Sequence, residues 1–171
     1  DMDQVRHLNP HADNGVATPD GNVNLIVHDT DLERFPWQGT VLAVHLIRFL
    51  SVLMGTAAVY LTWLIVREVF PGWPHLALGA AAVHAFTPMV VFIAGSVNND
   101  NLVILLSSLS LLLILRLLRR PAWTGWTRVM GYGVLGCVLG LTVLTKSSSL
   151  ALTLITACVV AIRAVRHRSW S

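Results

Sequence analysis

Acidic residues almost vanish from the second half of this chain: after Glu68 there is one carboxylate, Asp100. Charge is scarce throughout, at 12% of residues against 54% hydrophobic, and the mean hydropathy is +0.65. A chain of 171 residues cannot hide that much apolar surface in a soluble core. The composition therefore predicts an all-α polytopic membrane protein. Cysteine is nearly absent as well. Cys137 and Cys158 both fall inside apolar runs, where they read as small packing side chains and not as a disulfide framework. Basic residues are not interleaved with aromatics, so the formal charge of +3 and the pI near 9.4 do not point to nucleic acid. Also missing are a starting methionine and a signal peptide with a basic flank and short apolar core. The expectation is a retained part of a longer protein whose first residues belong to a loop.

What is present divides sharply. Residues 1–39 hold seven of the nine acids, with turn chemistry at Asp13-Asn14-Gly15 and Pro19-Asp20-Gly21-Asn22, and read as a polar extracytoplasmic loop. Residues 40–171 read as a bundle of about five transmembrane helices, at 40–66, 76–95, 102–118, 129–145 and 148–165. Each run approaches the roughly 20 residues a helix needs to cross a bilayer core, the last two only with their flanks. Helix is the structure expected of them because an open strand in lipid leaves its backbone unpaired. In the fourth run, Gly136 and Gly140 lie on one face, a spacing suited to close helix contact.

Orientation follows from the cations. If the first run enters from outside, the inner segments hold Arg67, Arg116, Arg119, Arg120, Arg128, Arg163, Arg166 and Arg168, eight of the twelve Lys and Arg residues. Trp73, Trp123, Trp126 and Trp170 then sit at inner helix ends and Trp37 at the outer start. The N-terminal segment is expected outside and the C-terminus inside, in a bacterial inner membrane.

Ionisable groups in or near lipid cost about 2.5 to 3.5 kcal/mol at a helix centre, so each is a site hypothesis. Arg48, about eight residues into the first run, Asp100 in the second outer turn and Lys146 in the last outer turn all fall on the outer half of the bundle. Two cations and a carboxylate there suit a lipid-linked phosphate together with a divalent metal or an acceptor hydroxyl. Plainer roles compete. Asp100 could cap the third helix, with Asn98 or Asn99 as rivals, and Lys146 could snorkel to headgroups. His45, on the face of Arg48, and His84, near the middle of the second run, could ligate a metal or a tetrapyrrole, or simply pack with hydrogen bonds. His7, His11 and His28 lack short ligand spacing.

Three stretches, IRFLSVLMGTAAVYLTWLIVREVFP, AAAVHAFTPMVVFIAGSVNNDNLVILLSSLSLLLILRLLRR and GCVLGLTVLTKSSSLAL, together resemble the membrane core of the GT-C glycosyltransferases. The likeness is to the family 39 type of protein mannosyl- and aminoarabinosyl-transferases and runs from about Val44 to Ile162. It implies an all-helical enzyme that takes a sugar from a polyprenyl phosphate on the outer membrane face. It places Asn99 and Asp100 close to the active site, Asp100 as catalytic or metal-binding candidate, with Arg48 and Lys146 toward the donor phosphate. The family's Asp-Glu pair after its first membrane helix has no counterpart in residues 1–39, so the first helix here corresponds to the family's second. The alternative is a non-catalytic accessory or scaffold subunit of a larger membrane complex, pigment-binding or energy-transducing, with other membrane subunits as partners and His45 or His84 as cofactor ligand.

Overall fold

The structure is a computed structural model and describes residues 34–119 and 125–168. Most of the predicted N-terminal loop, with His7, His11 and His28, lies outside the described residues, as do Arg120, Trp123 and Trp170. Within them the chain is helical and has no strand. The elements are α1 (Gly39–Val69), α2 (Pro74–Phe86), α3 (Pro88–Ala94), α4 (Asp100–Arg119), α5 (Trp126–Thr145), a 3-10 turn (Ser147–Ser149) and α6 (Leu150–Arg168).

Three of these helices, α1 from Val41, α4 and α5, are long and apolar enough to cross a membrane. The expected second span, 76–95, is not one helix: α2 and α3 meet at 63°. Pro88 explains the break. It has no amide hydrogen to continue the ladder, and its ring pushes the preceding residue out of the helical region. Thr87 accordingly sits at φ −67°, ψ 119°, and Pro88 opens α3 at the position where a missing N–H is harmless. The last predicted span, 148–165, is helical as the 3-10 turn and α6, and its stretch Ser147–Arg163 is apolar. Among the described residues three helices are thus candidate spans, or up to four if the broken pair counts as one, by length and composition.

The chain forms two compact units, the first reaching Arg48 and the second beginning at Phe49. In the first, Trp37 stacks on His45 with ring centroids 3.8 Å apart. In the second, α4 and α5 pair most extensively. Buried Gly131, Leu135, Val138, Leu139 and Thr142 mark the packed stripe of α5, and Leu135 and Leu139 join Ile114 and Leu117 of α4 in the core. Gly136 and Gly140 point the other way, and a Cβ at either would meet nothing within 4 Å. Among the described residues the expected glycine face therefore makes no helix contact. A close approach occurs instead at Gly55, where a Cβ would lie 2.9 Å from that of Ala94.

Four hydroxyls inside these helices are satisfied by their own backbone. Thr62, Ser110, Thr142 and Thr156 each donate to the carbonyl four residues earlier, which lets them sit in apolar surroundings.

Candidate functional site

At one end of the α4–α5 pair, the polar turn before α4 meets the junction after α5. Asn101 organises the turn. It is 3% exposed, and its Nδ2 donates to Ile93 O at 3.0 Å and Ser96 O at 3.1 Å. The Ser96 hydroxyl also donates to Ile93 O, at 2.8 Å. These bonds fasten the end of α3 to the first turn of α4 and satisfy carbonyls that the helix end leaves unpaired.

Asn98 and Asn99 start α4 together. The Asn99 carbonyl accepts the first intrahelical bond, from Val103 N–H at 3.1 Å, while Asn98 Oδ1 accepts from Asp100 N–H at 2.9 Å. Asp100 is thus the first helical residue, and its own orphan N–H is served by the Asn98 side chain. The Asp100 carboxylate is left for another partner, and Oδ1 is paired with Lys146 Nζ.

Lys146 reaches that position because the chain is extended there, at φ −156° and ψ 122°, between α5 and the 3-10 turn. Its backbone is held at both ends: N–H donates to Thr142 O at 3.1 Å, and O accepts from Ser149 N–H at 3.0 Å. Asn99 Nδ2 lies 3.4 Å from Thr145 O, a long bond across the same junction. The pair remains open to its surroundings, with side-chain exposures of 42% for Lys146 and 29% for Asp100. Beside it, the Ser149 hydroxyl is buried with no hydrogen-bond partner.

The structure therefore brings together Asn99, Asp100 and Lys146 of the residues expected at a site. Arg48 lies in the first unit, exposed on α1. His45, one turn earlier, donates Nδ1–H to Val41 O at 2.8 Å while its ring stacks on Trp37. In the second unit, His84 Nδ1 lies 2.7 Å from Thr62 Oγ1. Since that hydroxyl gives its hydrogen to Ala58 O, it accepts from His84. Both histidines thus have one ring nitrogen engaged by protein. Among the described residues no three His, Cys, Asp or Glu side chains gather as a metal-binding set.

Sequence reasoning passed over Asn101 and Ser149. The signal for Asn101 was available: an amide next to a long apolar run must find internal partners. The opposite end of the helices carries a different chemistry. Arg119 donates to Glu68 O at 2.6 Å and Val69 O at 3.0 Å, and Arg163 donates to Leu117 O at 2.9 Å. Arg116 Nε lies 3.7 Å from Glu68 Oε2, and Arg67 covers the Trp63 ring at 5.1 Å. Arg119 and Arg163 thereby close helix C-termini, where cations oppose the negative end of the dipole.

Against known proteins, residues 43–171 match the family model described as dolichyl-phosphate-mannose-protein mannosyltransferase. No curated protein and no solved structure matches the chain.

Proposed function

This chain belongs to the dolichyl-phosphate-mannose-protein mannosyltransferase family, and from that premise we propose that it is part of an enzyme moving a sugar from a polyprenyl-phosphate donor to an acceptor hydroxyl at the outer membrane face. The observation that carries the reading is the meeting of Lys146 and Asp100 at one end of two helices of membrane-crossing length. A cation there is suited to a lipid-linked phosphate and a carboxylate to an acceptor.

In the reaction, the acceptor oxygen attacks the anomeric carbon, the bond from that carbon to the phosphate oxygen breaks, and the departing lipid phosphate takes the electron pair. Lys146 stabilises the charge that grows on that phosphate. Asp100 receives or directs the acceptor proton, and Asn99 orients substrate beside it. A divalent ion at Asp100 would need further ligands from substrate or water, and no step above passes through one.

Lys146→Met in the full-length protein, in membranes, tests the reading. A charge-assisted bond to phosphate is worth about 1.5–3 kcal/mol. The donor KM should therefore rise on the order of tenfold or more while the folded level is unchanged. An unchanged donor KM would remove Lys146 from the donor site.

A further inference from the structure

We infer that Asp100 is the resident counter-anion of Lys146, displaced when a donor phosphate binds, so that donor binding and the release of the Asp100 carboxylate are one event. This rests on the reading of Lys146 as the donor-phosphate cation.

Three features support it. First, the carboxylate already occupies the place an anionic ligand would take on Lys146, since its Oδ1 is the partner of Nζ. After Glu68 the sequence holds no other carboxylate that could play this part, and Glu68 itself sits with Arg116 and Arg119 at the far end of α4. Second, the pair is partly exposed. An ion pair in that setting is weak, whereas a phosphate brings several charged acceptor oxygens to the same ammonium. Exchange therefore favours the phosphate once lipid holds it nearby.

Third, Asp100 is not stranded by losing Lys146. It lies in the first turn of the 20-residue helix α4, where the positive end of the helix dipole stabilises a carboxylate. The bonds that hold the turn belong to Asn98, Asn101 and Ser96 and do not use the Asp100 carboxylate. The side chain can change partner without opening the turn. While paired, the Asp100 carboxylate is occupied by the ammonium; once the phosphate draws Lys146 away, its lone pairs are free for the acceptor hydroxyl. The order donor first, acceptor second follows.

Binding of a short-chain polyprenyl monophosphate to the solubilised full-length protein tests this, with the uncharged polyprenol as control. Removing the internal competitor by Asp100→Asn should tighten monophosphate binding, on the order of two- to fivefold, and leave polyprenol binding unchanged. Asp100→Ser, which also suits a helix start, provides a second variant should the first fold poorly. In a Lys146→Met background, the Asp100 substitutions should have no effect, because the two sites act through one contact. Weaker or unchanged monophosphate binding in the Asp100 variants, with Lys146→Met still weakening it, would overturn the exchange and leave the donor reading standing. No effect of Lys146→Met would overturn both.

Discussion

Asn101 makes the clearest case at the scale of single residues. Its amide hydrogens point at two carbonyl oxygens in a buried place, and Asn101→Asp would replace the donor with an acceptor. The protein should lose about 2–3 kcal/mol of stability, read as a lowered melting temperature of the solubilised full-length chain. Asn99→Ala removes only the long bond to Thr145 O and should cost less than about 1 kcal/mol. The polar turn and its partner Lys146 were legible in the sequence because charged and amide groups are rare in this chain. The division of labour among Asn98, Asn99, Asp100 and Asn101 was not. Four adjacent polar residues can all cap, and which of them does so depends on where the helix starts, a shift of one residue.

Elements were legible where length and hydropathy decide and less so where shape does. An apolar run from 76 to 95 looks continuous, yet Pro88 divides it, and the short α3 that results brings Ala94 against Gly55. Gly55→Val should therefore push α1 and α3 apart and destabilise the protein, on the order of 1–3 kcal/mol for overpacking. On α5 the sequence suggested a glycine seam, but the facing surface of α4 is built from large aliphatics, which mate with Leu135 and Leu139. Leu135→Ala should cost about 2–5 kcal/mol. Gly136→Ala, facing outward with nothing within 4 Å, should leave the melting temperature unchanged or slightly raise it, since alanine favours helix. Which face of a helix packs cannot be told from its own sequence alone; the opposing helix decides it.

Across the molecule, the chemistry sorts to two ends. Helix α4 has 20 residues, roughly 30 Å at 1.5 Å per residue, about the thickness of a bilayer core. Asp100, Asn99 and Lys146 gather at its start, while Arg116, Arg119 and Arg163 gather near its end. The long apolar helices were readable from composition, but the break in the second run was not, because a bent pair has the hydropathy of a continuous helix. The arginines predict the sidedness: with their end cytoplasmic, the turn before α4 would lie outside. Val97 and Trp126 are both exposed, at 56% and 74%, and lie toward opposite ends. In a variant with Cys137 and Cys158 replaced by alanine, Val97→Cys should react with a membrane-impermeant maleimide in intact cells, and Trp126→Cys only after permeabilisation. The reverse pattern would place the Asp100–Lys146 pair at the inner face, where a donor presented from outside could not reach it, and the proposed reaction would fail with the topology.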